Sequence, residues 1–241
     1  LTIVIPYRAE VHNGLELKFA LRSIEKYLSG WDKIFVLSNQ YPKYPLNDYD
    51  NWETQNFNGL NFIYAEDFHG KKDYSIMQKM ALACRHAEIS DDFLMYHDDH
   101  MTAAPINVSS IKYWHNGSLS ENLANSGSAH NRQSKANTLE LMPDALHFDI
   151  HTPIIFNKER FLKTFQNLES RDVCVKSVYS NSFDDLEKEF MSDCRINGNT
   201  GKIDILSMIR WRTFFSTGTG ISTPVVQVLK ELYPEKSRFE L

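Results

Sequence analysis

Short apolar runs alternate with amphipathic stretches through the first hundred residues. Thr2-Ile3-Val4-Ile5-Pro6 has the length and continuity of a buried strand, and Leu15 to Leu28 carries apolar residues at helical spacing. Lys33 to Ser38 and Asn61 to Ala65 read as a second and a third strand. Tyr74 to Ala87 reads as a helix with Ile76, Met80 and Ala83 on one face, and Asp92 to Tyr96 as a fourth strand. Strands alternating with helices in this way predict an α/β domain with a mainly parallel sheet covered on both faces.

Beyond residue 101 the pattern loosens. Ser109 to Met142 is polar, with Gly117, Gly127 and many Ser and Asn residues, and reads as surface helix or loop over a site. His147 to Phe156 reads as a strand, followed by a helix opened by Asn157 and running to about Leu168. After Lys202 the pattern is mixed, with Ser216-Thr217-Gly218-Thr219-Gly220 as a flexible loop. No repeat and no dividing linker is present, so residues 1–241 read as one domain.

Composition narrows the function classes. Apolar residues make up 42% and charged residues 24%, which excludes a largely disordered chain. A formal charge of -5 argues against a surface dominated by phosphate contacts. Cys84, Cys174 and Cys194 are three in number without CxxC spacing, so neither a disulfide framework nor a cysteine zinc site is implied. No apolar stretch reaches the roughly 18 residues of a membrane span, and the reading is a cytoplasmic protein.

In open α/β sheets ligands bind outside the carboxyl ends of the strands. Tyr7-Arg8, Glu66-Asp67 and Asp98-Asp99-His100 all fall at such ends. Acids at the mouth of a buried strand are costly unless something positive meets them, so a cation is the expected partner of Asp98 and its neighbours. If residues 147–156 form a strand, His147, Asp149 and His151 share one face as a row of imidazole, carboxylate and imidazole. Two kinds of metal site are then open: carboxylates holding magnesium or manganese against a diphosphate, or a histidine-rich site for zinc or iron.

Ile3-Val4-Ile5-Pro6-Tyr7-Arg8, the helix with Leu21-Arg22-Ser23-Ile24, the second strand and the Asp-Asp-His strand end carry a family likeness. In order and spacing, residues 2 to 101 resemble the nucleotide-sugar-binding half of GT-A glycosyltransferases. That family usually carries Asp-x-Asp, with Asp-x-His as a variant. The resemblance therefore implies that Asp98 and His100 hold Mn2+ or Mg2+ against a donor diphosphate, the imidazole favouring manganese. It also implies a GT-A-like (Rossmann-like) fold, with residues 1–101 as the donor half and 102–241 as the acceptor side. The implied activity is a glycosyltransferase, hexosyl or related, moving a sugar from a nucleotide-sugar donor to a glycan or a modified DNA base.

In that framework Tyr7 and Arg8 are candidates to meet the base or phosphates, and Asp67 to accept hydrogen bonds from base or ribose. Lys79 is either a phosphate contact or a solvated helix lysine. Asp99 is a candidate to ligate through water or to orient the donor sugar. Asp149 and Asp193 are candidates for the general base, and His151 for a base or a third metal ligand.

Two further resemblances stand beside this one. Leu17 to Tyr27, Asp98-Asp99 and His151-Thr152-Pro153 look like Stealth sugar-phosphate phosphotransferases, although Pro6-Tyr7-Arg8 stands where that family has an acidic residue and a Trp-Val-Asp-Gly run. The segments 147–156 and 190–194 are similar to phage and prophage proteins labelled glycosyltransferase-like. A nucleotide- or carbohydrate-binding protein without turnover is the non-enzyme alternative.

Overall fold

The computed structural model describes residues 1–9, 14–46, 54–168, 171–218 and 221–241. A five-stranded sheet organises the chain. Its strands are β1 (Thr2–Pro6), β2 (Ile34–Ser38), β3 (Asn61–Tyr64), β4 (Asp92–Met95) and, much later in the sequence, β5 (Ile154–Asn157), in the spatial order β5-β4-β1-β2-β3. The first four are parallel to one another and β5 runs antiparallel to β4. Helices α1 (Leu15–Tyr27) and α2 (Lys72–Arg85) supply the crossovers between them.

The inner strands β1 and β2 are buried on both faces and so are almost continuously apolar, whereas the edge strands β3 and β5 are partly exposed. Ile3 and Ile5 enter one core with Leu17, Phe19 and Leu94, while Val4 points into the other with Phe35, Met80 and Phe93. That alternation is the two-residue period of a strand. Helix α1 begins at Gly14, whose φ of 81° and close approach to Lys43 demand glycine: a Cβ there would stand 1.6 Å from the Lys43 carbonyl oxygen. The last residues return to the first core, where the buried Glu240 carboxylate accepts from the Arg22 guanidinium at 2.6 and 2.8 Å.

Because β1 to β4 are parallel, their carboxyl ends share one rim. Antiparallel β5 brings its amino end to that same rim, with Ile154 opposite Met95, so His151 arrives beside Asp98-Asp99-His100. A short antiparallel pair completes the wall: β6 (His100–Thr102) against β7 (Phe214–Ser216), with Ser216 opposite His100. A single bridge between Arg195 and Ser216 draws in the segment that carries Asp193.

The first half follows the apolar pattern to within two residues at most boundaries. The second half departs from it in two places, at 147–153 and at 216–217, while the helices within 109–142 agree with it. Residues 147–153 are not strand, because β4 ends at Met95 and leaves no ladder partner before Ile154; the shared face expected for His147, Asp149 and His151 does not exist. The expected loop at 216–220 begins inside β7, where Ser216 and Thr217 are fully buried, and Thr219 and Gly220 lie outside the described residues. Within 109–142 a two-turn helix (Leu119–Ala124) precedes a longer one, α3 (Ala129–Leu141). Asn157 caps its helix as expected, accepting from the Arg160 amide, but the helix stops at Phe165.

Candidate functional site

Two polar clusters occupy the rim. The first gathers Tyr7, Arg8, Asp67, Lys79 and Asp98. Lys79 is neither solvated nor a free arm: it is buried, and its ammonium donates to the Tyr7 carbonyl and to Asp67 Oδ1, each at 2.7 Å. Burial pulls its pKa down, against the carboxylates of Asp67 and Asp98. The Tyr7 phenol is buried and pushed above its ordinary range by desolvation and by the charges of Asp98 and Glu16. Arg8 Nε and Asp67 Oδ2 are buried and hydrogen-bonded to nothing among the described residues.

The second cluster is rich in imidazole. It joins His97, Asp99 and His100 from the end of β4 with His151 from the approach to β5, Asp193, and Ser216 from β7. Ser216 Oγ donates to Asp99 Oδ2 at 3.0 Å, and Asp99 Oδ1 stands 3.7 Å from His100 Nε2. The His100 ring lies 4.8 Å from that of His97 and 5.8 Å from that of His151, centroid to centroid. His100 is buried, and its Nδ1 has no hydrogen-bond partner among the described residues.

Burial lowers both His97, to about 3, and His100, with Lys176 adding to it; both rings are therefore neutral at pH 7. Burial alone would raise the Asp99 carboxyl, but His97, His151, Lys72 and the Ser216 hydroxyl override it and hold it below the usual range.

Asp193 is engaged by one residue from two sides. The His151 amide donates to its Oδ1 at 2.9 Å, and the His151 ring nitrogen Nδ1 lies 2.7 Å from its Oδ2. These contacts and the Lys176 charge outweigh burial and hold the carboxyl at about 2. An ionised Asp193 accepts only, which assigns the proton to Nδ1 and leaves Nε2 of His151 as the free lone pair.

Asp149 lies elsewhere. Its carboxylate accepts from the Ser177 hydroxyl at 2.7 Å and from the amides of Ser177 and Lys176 at 2.9 and 3.3 Å, at the first turn of α4 (Val175–Asn181), counted after the unlabelled helix Lys158–Phe165. It satisfies orphan amides that a helix start leaves open, so it is spent on the fold. His147 is turned toward Asn116, with Nδ1 at 2.7 Å from Oδ1, and burial lowers it to about 3.

The apolar pattern concealed two cations. Lys176 sits within Val173-Cys174-Val175-Lys176-Ser177-Val178-Tyr179 and is buried, with its ammonium donating to the carbonyls of Ile150 and Thr152. It therefore fixes the loop that carries His151. A lone lysine in an otherwise apolar stretch was the signal available. Lys72, exposed at the start of α2, bears electrostatically on His97, Asp99 and His100.

The donor set of the second cluster fits a divalent cation of the transition series, combining an ionised carboxylate with neutral imidazole and one buried, unsatisfied ring nitrogen. Among the described residues no three carboxylate, imidazole or thiolate groups come together as a ready cage. An ion of the magnesium type takes one or two protein groups and fills its shell with substrate phosphates and water, so a pair such as Asp99 and His100 suffices.

No family model matches this chain, and no curated protein matches it. Among solved structures, the fold is similar to that of WbbM, a bifunctional glycosyltransferase in its apo form. The two share 8% identity at a TM-score of 0.54, over 98% of this chain and 50% of that one. The chain thus spans about half the length of WbbM. The galactosyltransferase LgtC, solved with donor and acceptor sugar analogues, aligns over 100% of this chain and 98% of its own at 8% identity and a TM-score of 0.48. At such identity the likeness carries the fold alone, and the fold is the mixed, mainly parallel α/β architecture of the GT-A type.

Proposed function

We propose that the chain is a metal-dependent glycosyltransferase that takes a nucleotide-sugar donor at the rim of the sheet. The observation that carries the reading is a group of buried polar atoms there without a hydrogen bond among the described residues, which includes Arg8 Nε, Asp67 Oδ2 and His100 Nδ1, one at the end of β1, one just past β3 and one just past β4. Unsatisfied buried polar atoms are rare in folded proteins, and three at the strand ends of a GT-A-type sheet call for a polar ligand. Arg8, Tyr7 and Asp67 form the donor-facing wall, while Lys79 braces that wall from beneath. Asp98 bears on Tyr7 and Lys79 and belongs to the same wall.

On this reading Asp99 and His100 hold Mn2+ or Mg2+, with Asp98 as the neighbouring acid of the motif. When bound, the ion neutralises charge growing on the departing diphosphate. Lys72, exposed at the start of α2, adds a positive charge on the same side. His151 is the general base: its Nδ1 is committed to Asp193, Nε2 carries the lone pair that takes the acceptor hydroxyl proton, and Asp193 holds the ring and stabilises it once protonated. Asp149, already accepting three hydrogen bonds, drops out as a base.

A thermal-shift panel tests the reading. A ligand that binds only the native state at about 100 times its Kd stabilises by about 2.7 kcal/mol, which in a chain of this size is a rise in Tm of roughly 5–10 °C. A uridine, guanosine or cytidine diphosphate sugar should give that shift with manganese and a smaller one without. If no nucleotide shifts the curve in either condition, the donor site is misassigned. Released nucleoside diphosphate marks sugar transfer, whereas nucleoside monophosphate would mark sugar-phosphate transfer.

A further inference from the structure

His151 stands at the apex of a tight turn. The Thr152 amide donates to the Ile150 carbonyl at 2.8 Å, which closes a three-residue turn around the histidine. Pro153 follows directly and confines Thr152 to extended backbone. Ile150 and Thr152 are buried, whereas the His151 side chain between them is 23% exposed, so this turn delivers the ring to the rim.

Two charged side chains lock the turn to the start of α4, each reaching into the other's segment. From the loop, Asp149 accepts from the amides of Lys176 and Ser177 and from the Ser177 hydroxyl. From the helix, the Lys176 ammonium donates back to the carbonyls of Ile150 and Thr152, on either side of His151. Ser177 closes the clasp, since its hydroxyl oxygen accepts from the Phe148 amide at 2.9 Å. Neither segment can shift without breaking the other's bonds.

Stability does not account for such a pair. Burial pulls the Lys176 pKa down against the carboxylates of Asp149, Asp193 and Asp99, and pushes that of Asp149 up against Lys176. Desolvation makes a buried ion pair so costly that apolar residues of similar volume commonly stabilise as well or better. What an apolar side chain cannot do is satisfy two carbonyls at once; an ammonium with three donors can. Asp193 supplies the remaining restraint, taking the His151 amide and facing its Nδ1.

We propose that Asp149 and Lys176 are positioning residues, whose clasp sets the backbone of His151 so that Nε2 is aimed at the acceptor hydroxyl. The inference rests on His151 being the general base of the proposed reaction. Both residues act through His151, by narrowing the spread of ring positions. A misplacement of about 1 Å is enough to cost on the order of a hundredfold in rate.

Nitrogen-15 labelling of the histidines in the full chain tests the clasp without nucleotide or acceptor. At about pH 8, with His151 assigned by its loss in His151→Gln, wild type should show one tautomer, protonated on Nδ1. Lys176→Met and Asp149→Asn should show mixed tautomers, and their His151 and Thr152 amides should exchange with deuterium at least about tenfold faster. In turnover, kcat should fall about twentyfold and about fivefold respectively, with donor KM and nucleotide-induced thermal shifts unchanged. Lys176→Met leaves Asp149 without its counter-charge, so two milder measurements stand beside it. Ser177→Ala keeps both charges and should speed the same amides about threefold, and in wild type alone the Thr152 amide should exchange at least about a hundredfold slower than an unprotected one.

A wild-type Thr152 amide that exchanges like an open loop overturns the proposal. So does a single Nδ1 tautomer retained in the folded variants, or a donor KM that worsens in step with the loss of kcat, which assigns the pair to the fold alone. If nucleotides shift no melting curve while the tautomer and exchange results hold, the donor site fails and the clasp stands.

Discussion

At one side of the rim a buried lysine holds two acceptors 2.7 Å away, and at the other a row of neutral imidazoles surrounds one ionised carboxylate. Both regions collect acids and bases at strand ends, yet they are balanced in opposite ways. The Lys79–Asp67 pair is compensated in charge, so it braces the strand ends and leaves only neutral hydrogen-bonding capacity, at Asp67 Oδ2, for a ligand. The His97, Asp99 and His100 group keeps lone pairs uncommitted at neutral pH, which is what a cation or a proton needs. Proximity to the rim does not by itself mark the chemistry; the state of charge of each cluster does.

Substitutions separate the two regions. Asp99→Ala should cut turnover about a thousandfold, while its Tm moves by only a few degrees. Lys79→Met leaves the Asp67 carboxylate buried and uncompensated, so it should cost about 3–5 kcal/mol of stability, read as a fall in Tm of roughly 6–20 °C. Equal losses of stability from both variants would erase the contrast between a bracing cluster and a reactive one.

His151→Gln should lower kcat about a hundredfold and remove the acid limb of the pH–rate profile. Asp193→Asn keeps the shape but not the charge, and should lower kcat about tenfold with that limb displaced to lower pH, because a neutral amide no longer favours the imidazolium. A structural role alone for Asp193 would change Tm without moving the limb.

Per pH unit, the smallest effects are in stability. His147 is held at about 3 when folded and titrates near 6.5 when unfolded, so the unfolded state takes up the proton first. Its contribution is complete above pH 6.5 and falls by about 1.4 kcal/mol per unit as pH drops toward 3. Asp193 acts lower: its folded value of about 2 lies below the unfolded one near 3.9, so its roughly 2 kcal/mol is present above pH 4 and is lost as pH falls through 2. Urea melts at pH 7, 5 and 4 should show the first loss diminished in His147→Gln and unchanged in Asp193→Asn.

The bracing side of the rim was largely legible in the sequence, and the reactive side only in part. Strands β1 and β2 and residues 93–95 of β4 are buried, so composition alone marks them; β3, at the sheet edge, is partly exposed and is marked by its apolar Phe62 and Ile63, and Tyr7, Arg8, Asp67 and Asp98 follow from where these runs end. The opposite wall is assembled by register: Ile154 against Met95, Ser216 against His100, Arg195 against Ser216. No local period encodes such pairings. The two-residue period imposed on His147, Asp149 and His151 failed for the same reason, since their partners are Asn116, Ser177 and Asp193, three different elements. Lys79, readable as either a phosphate contact or a solvated lysine, and Lys176, which the apolar pattern conceals, are illegible for a related reason, because a lysine on a helix reads as solvated until carbonyls and carboxylates from elsewhere close over it.

The central claim is that the imidazole-rich cluster binds a divalent cation together with a donor diphosphate. Electron paramagnetic resonance of Mn2+ titrated with the protein and a nucleoside diphosphate measures this without requiring the acceptor. The account predicts that wild type depletes the free-ion signal beyond what the nucleotide does alone, that Asp99→Ala with His100→Ala abolishes the difference, and that Asp149→Asn retains it. A signal unaffected by the wild-type protein, or depleted equally by the double variant, would contradict it.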